Sequence, residues 1–144
     1  KCRERDCITV LIILLAITGL SSCEDILTDS GDPRDKLTGT WKVDETAGAL
    51  KTALEVYWVE SSKHPYDSNR IVIYNFYNVD ADAEAVLRGS TLTLPLQTLQ
   101  GGYEVSGSGQ IKGSNANEIT WSYTVDDGSG VPENRIAVYT PVSL

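Results

Sequence analysis

A single histidine, His64, and three cysteines, Cys2, Cys7 and Cys23, are all that 144 residues offer for nucleophilic or soft-metal chemistry. A serine or cysteine nucleophile needs a base held beside it, and His64 lies in Ser61-Ser62-Lys63-His64-Pro65, a polar run with the character of a solvated loop. No Gly-x-Ser-x-Gly elbow occurs, since Gly107-Ser108-Gly109 lacks the outer spacing. Asp80-Ala81-Asp82-Ala83-Glu84 has neither the glycine nor the distal glutamate of an EF-hand calcium loop and reads as an acidic turn, as does Asp126-Asp127-Gly128-Ser129-Gly130. One histidine is too few for an ordinary zinc site. No catalytic residue, metal or cofactor is expected, and the chain is not expected to be an enzyme.

Binding chemistry has better material in seven tyrosines and three tryptophans. Their flat faces and polar tips suit lipids, sugars or aromatic ligands, although most such residues on strands serve as packing. Trp58 and Tyr77, near the middle and end of long strand-like runs, and Trp121 are the first candidates to line a ligand pocket.

The elements that must position these residues are strands. Apolar residues come in short alternating runs separated by turn residues, with the period of half-buried strands and not that of helices. Eight strands are predicted, near Gly39 to Glu45, Leu54 to Ser61, Arg70 to Asn78, Glu84 to Arg88, Thr91 to Leu94, Tyr103 to Lys112, Glu118 to Val125 and Arg135 to Thr140. In the seventh, Ile119, Trp121, Tyr123 and Val125 alternate with Thr120, Ser122 and Thr124, which predicts one core face and one wet face. The third run starts Ile71-Val72-Ile73, apolar on both faces, and predicts a central strand covered on its outer side. Ala47 to Ala53 is rich in helix formers and predicts a helical turn. Eight short antiparallel strands can close as an up-and-down barrel or pack as a sandwich, and periodicity alone leaves both open.

Ahead of the strands, Lys1, Arg3 and Arg5 precede a 13-residue apolar run, Ile8 to Leu20, and two small residues, Ser21 and Ser22. A bilayer-spanning helix needs about 20 apolar residues, so residues 1–22 are expected to be a removed signal peptide. From 24 to 34 the chain is polar, carries Ser30-Gly31-Asp32-Pro33, and reads as a tether reaching at most about 36 Å. Residues 35–144 form the β domain. The whole chain has a formal charge of −8; from residue 23 onward nine Lys and Arg face 18 Asp and Glu, with no basic patch. Nucleic acid is excluded as a partner, and the globular part is repelled by anionic headgroups.

Two motifs carry family resemblances. Leu20-Ser21-Ser22-Cys23 resembles the bacterial lipobox, which implies that Cys23 is acylated, becomes the mature N-terminus and partners the membrane, residues 23–34 being the lipidated tether. Several acyl chains on one residue, at about 0.8 kcal/mol per buried methylene, hold firmly. Cleavage there removes Cys2 and Cys7, so no disulfide is expected. Glu24-Asp25 resembles the acidic stretch that directs many lipoproteins of Bacteroidetes-type bacteria to the cell surface.

Lys36-Leu37-Thr38-Gly39-Thr40-Trp41 is similar to the Gly-x-Trp signature that opens lipocalins and related calycin barrels. That resemblance implies a barrel of about eight strands in which Gly39 permits the tight turn into the first strand, Trp41 plugs the base, and Arg135 lies as a cation over the indole. With "DPRDKLTGTW" at 32–41, "IVIYNFYN" at 71–78, "LTLPLQ" at 92–97 and "SYTVDDG" at 122–128, the chain resembles small lipocalin-like lipoproteins of Bacteroidetes-type bacteria. The resemblance implies an address in the bacterial cell envelope, anchored in the outer membrane. Two function classes follow: a protein whose barrel takes a small apolar or glycan ligand, which predicts a cavity, and a non-enzymatic structural or interaction module for an envelope protein partner, which predicts a packed interior and an apolar outer patch.

Overall fold

The computed structural model describes residues 31–47 and 54–143. The expected signal peptide, the lipid site Cys23, residues 23–30 of the tether and residues 48–53 of the helical turn expected over Ala47 to Ala53 lie outside the described residues, while Ala47 itself ends the first strand.

All eight predicted strands form, as β1 (Gly39–Ala47), β2 (Leu54–Lys63), β3 (Arg70–Phe76), β4 (Ala81–Arg88), β5 (Thr91–Thr98), β6 (Glu104–Lys112), β7 (Glu118–Asp126) and β8 (Glu133–Pro141). Each pairs antiparallel with the next, and β8 returns to β1, closing an up-and-down barrel. Closure decides between the two architectures that periodicity left open, and it also corrects the expectation of a central, covered third strand. In a closed barrel every strand has two neighbours and one inward face, so Ile71 and Ile73 point inside while Val72 is half-buried on the outer wall.

The interior of an eight-stranded barrel is just wide enough to be filled by side chains, and here it is filled. β7 contributes Ile119, Trp121, Tyr123 and Val125, all buried, as its alternation predicts. From β3, across the barrel, Phe76 meets Trp121 and Tyr123 with ring centroids 6.3 and 5.0 Å away. Those rings demand small neighbours. β6 supplies Gly107 opposite Tyr123 and Gly109 opposite Trp121, and a Cβ on Gly107 would lie 2.4 Å from that of Tyr123. β4 supplies Ala81, Ala83 and Ala85, all buried. Asp80 to Glu84 is therefore not an acidic turn: β4 begins at Ala81, with Asp82 and Glu84 on its outer side. The alanines hide the strand from propensity, because their place is set by the volume of the facing rings.

Two irregularities interrupt the ladders. Between Ile73 and Phe76 the register of β3 against β4 slips; Asn75 takes φ 60°, and its side chain donates to Trp58 O at 2.9 Å and accepts from Asp80 N at 3.0 Å. The bulge turns Phe76 inward. Pro95 cannot donate to a ladder, and β5 shifts register between Leu94 and Gln97. The Gln97 amide bridges the gap, donating to Glu84 O at 2.8 Å and accepting from Glu84 N at 2.9 Å, so β5 continues past the Leu94 at which it was expected to stop.

A 3-10 turn, Asp35–Leu37, leads into β1 at the base. Leu37 is fully buried beneath Trp41, whose indole N–H donates to Leu37 O at 3.1 Å, and the Ser61 hydroxyl donates to the same carbonyl. Gly39 has φ 118°, a conformation that costs a residue without Cβ little. Arg34 ties this turn to the loop between β2 and β3: Nη1 donates to the carbonyls of His64, Asp67 and Arg70 at 3.3, 2.8 and 3.1 Å, while Nη2 pairs with Asp32 at 2.6 Å. That pairing holds the Asp32 carboxyl below its ordinary range.

Replacing Gly107 with alanine should cost about 1–3 kcal/mol by overpacking against Tyr123, read as a lower urea midpoint. A midpoint equal to the parent's would mean that β6 and β7 can part at the Gly107–Tyr123 pair without loss.

Candidate functional site

The base is closed by the plug just described, so an opening has to be sought at the other end, where β3 hands over to β4, β5 to β6 and β7 to β8. A pocket of about 350 Å³ lies there, lined by Tyr77, Tyr103, Val125, Asp127, Ser129, Val131, Glu133 and Arg135. Tyr77 follows the Asn75 bulge with φ 59°, an unusual backbone for a bulky side chain. Its ring packs edge-on to Tyr103, centroids 5.9 Å apart. The loop carrying Asp127 and Ser129 is shaped by Asp126, whose carboxylate accepts the N–H groups of Gly128 and Gly130 at 2.9 and 3.0 Å. The expected turn at 126–130 is thus one wall of the pocket.

Arg135 forms its floor. The guanidinium donates from Nη2 to Tyr77 OH at 2.9 Å and to Glu133 at 2.6 Å, and lies 5.2 Å from the Tyr77 ring centroid. The opposite side of Arg135 faces the interior, with Nη1 3.9 Å from Glu45. Glu45 is 1% exposed. Burial raises its pKa, against the hydrogen bond from Tyr57 and the charge of Arg135, which lower it. Burial also raises the hydroxyls of Tyr57, Tyr123 and Tyr139 well above the ordinary tyrosine range. Glu45 Oε1, Tyr123 OH, Tyr139 OH, Trp121 Nε1 and Arg135 Nε are buried without a hydrogen-bond partner among the described residues. The interior thus carries a polar cluster whose outermost member is the pocket floor.

The residues singled out from sequence are scattered by this geometry. Tyr77 lines the pocket. Trp58 does not: it points outward from β2 and is 56% exposed. Trp121 lies wholly inside the core, 5.8 Å from Tyr139 between ring centroids. Gly39 and Trp41 sit at the base, but Arg135 is not over Trp41. β1 and β8 are antiparallel, Trp41 pairing with Pro141 and Ala47 with Arg135, so Arg135 is about 20 Å up the wall, over Tyr77. Its place at the start of β8 makes it a mouth residue.

Glu45, Tyr103, Asp127 and Glu133 were not singled out. For Glu45 a signal exists: it shares parity with Trp41 and Val43, which puts an acid on the buried side of β1. The other three depend on how loops fold and carry no comparable signal. His64 organises its loop, Nδ1 accepting the N–H groups of Tyr66 and Asp67 at 3.2 and 3.0 Å while Nε2 lies 3.6 Å from Glu84. A second hollow of about 370 Å³ near the base, lined by Asp67, Asn69, Arg70, Val86, Leu87 and Arg88, contains no aromatic face; its Arg70 is held by Asp67 and Glu84, each at 2.9 Å.

No protein-family description and no curated protein matches this sequence. Among solved structures, the redesigned β-barrel b11L5F_LGL is similar with a TM-score of 0.53 and 12% identity over 79% of this chain and 98% of that one. EF1p2_mFAP2b bound to DFHBI is similar with a TM-score of 0.54 and 14% identity over 78% of this chain and 100% of that one. At such identities the likeness is one of fold.

The raised pKa of Glu45 means that the folded state holds this proton more tightly than the unfolded chain does. Its stabilising contribution is complete below the unfolded carboxyl range, near pH ~4.3, and is lost as pH rises through the folded value. Glu45→Gln should therefore gain stability relative to the parent as pH is raised from 4 to 8 in urea titrations; a difference independent of pH would refute the assignment.

Proposed function

We propose that this chain is a lipid-anchored binding protein of the bacterial cell envelope, non-enzymatic, whose barrel takes a small apolar or glycan ligand at its mouth. The observation that carries the reading is the pocket over Arg135: the interior is occupied by the protein's own rings, and what stays open is a hollow with two tyrosines and a fixed guanidinium. Its volume is at the lower end of the range of about 300–1,000 Å³ typical of ligand pockets. EF1p2_mFAP2b, which has a similar fold, is bound to DFHBI, which fits a barrel of this kind holding a small molecule. The anchor rests on Leu20-Ser21-Ser22-Cys23, and the outer-membrane, surface-exposed address on the resemblance to lipocalin-like lipoproteins and on Glu24-Asp25.

A second reading, a packed interaction module, is favoured by two observations, the filled interior and an apolar patch outside it. Val56, Trp58 and Tyr74 are exposed on the outer walls of β2 and β3, where an envelope protein partner would find apolar surface.

Two measurements test the proposal. Metabolic labelling with a fatty acid should mark the parent and not Cys23→Ser; equal labelling, or none in either, removes the anchor. Native mass spectrometry of residues 24–144, before and after denaturation and after incubation with envelope lipid and glycan extracts, should show a released adduct that Arg135→Ala weakens about tenfold or more. A bare mass after both incubations would transfer the assignment to the interaction module.

A further inference from the structure

Resting on the mouth pocket as the binding site, we infer that its ligand is a neutral, hydroxyl-rich sugar ring rather than an apolar, anionic or cationic molecule. The pocket has two kinds of surface. Tyr77, which carries Arg135 over its ring, and Tyr103, set edge to face with it, line the pocket, and an aromatic face, of negative quadrupole, attracts the C–H face of a ring stacked on it. Around them stand Asp127, Ser129, Glu133 and Arg135. Carboxylates only accept, a guanidinium only donates, and a serine hydroxyl does both. A ligand must therefore both donate and accept at several points, which adjacent hydroxyls do.

Each alternative meets an obstacle on the same residues. An apolar ligand strips water from Asp127, Glu133 and Arg135 and returns no hydrogen bond, a cost of the order of kilocalories per group. An anion finds the one cation already paired with Glu133 at 2.6 Å, faces Asp127, and approaches a chain of formal charge −8. A cation meets Arg135 in the floor, 16% exposed and unable to leave without breaking its contacts with Tyr77 and Glu133. A neutral polyol disturbs no charge pairing. Arg135 is held in advance by Tyr77 OH and by the stack on that ring, so little ordering remains to be done on binding.

The test uses the full chain in a zwitterionic detergent without a sugar headgroup, with probes of four chemistries: cellobiose and maltose as neutral sugars, glucuronate as an acid, glucosamine as an amine, and cyclohexanol as an apolar ring. The readout is the NMR shift of the backbone amides of Tyr77, Tyr103, Val131 and Arg135. Saturable shifts with a neutral sugar are expected, weakened about tenfold or more in Tyr77→Ala and unchanged in Trp58→Ala on the outer wall. Tyr77→Phe, which keeps the ring but loses the oxygen that receives Arg135, serves as the milder variant and should weaken binding by a smaller factor. Saturation of the same amides by glucuronate, glucosamine or cyclohexanol, with no response to the neutral sugars, would overturn the ligand class and leave the mouth site standing. No response at these amides to any probe would overturn the mouth site itself.

Discussion

The rest of this structure depends on one constraint, the fixed bore of an eight-stranded barrel. Strands four apart face each other across it, β3 opposite β7 and β4 opposite β8, and the side chains of facing strands have to sum to the available volume. β7 brings Trp121 and Tyr123, and Phe76 reaches them from β3. The volume they use is returned by Gly107 and Gly109 on β6 and by Ala81, Ala83 and Ala85 on β4. Because the bore is occupied, the hollows that remain lie outside it, and the one with aromatic walls is at the mouth.

The base and the interior of the barrel treat their polar groups differently. At the base Arg34 meets three carbonyls and a carboxylate, and Leu37 O receives both the Trp41 indole and the Ser61 hydroxyl. Within the barrel above it, Glu45, Trp121, Tyr123, Tyr139 and Arg135 keep buried atoms without partners among the described residues, and at the mouth Tyr77 holds an unfavourable φ. Buried polar groups are normally satisfied, and backbone strain collects where a structure gives up stability for another purpose. A closed, satisfied plug at the base is thus set apart from a barrel interior in which polar groups remain without partners.

Much of the fold was legible in the sequence because period-2 alternation and turn residues are local signals. Ile119 to Val125 states its two faces outright, and Gly101-Gly102 and Gly113-Ser114-Asn115 mark turns between strands. What was not legible is set from far away. Ala81 to Ala83 reads as turn-like until the rings opposite are known; Pro95 reads as a strand end until Gln97 is seen replacing the missing ladder bonds; and the inward turn of Phe76 depends on the Asn75 bulge. The pocket was the least legible part. Arg135 was assigned to the wrong end because a resemblance supplied its role, while the antiparallel register of β8 against β1, which places it, is a property of the closed sheet. Of the ligand candidates only Tyr77 reached the mouth, since exposure on a strand such as that of Trp58 is a matter of parity and aromatic character says nothing about it.

Arg135 is where interior and mouth become one problem. Its guanidinium stands between Glu45 below and Glu133 above. Desolvation raises the pKa of Glu45, and Glu133, at 2.6 Å, is a much closer partner for the guanidinium than Glu45, at 3.9 Å. Glu45 also accepts a hydrogen bond from the Tyr57 hydroxyl. An acid buried in the barrel thus meets, through Arg135, a pocket that it does not line, and the guanidinium between them is held by Tyr77 and Glu133. The proposed ligand, with hydroxyls and no charge, is one whose binding would leave these contacts in place.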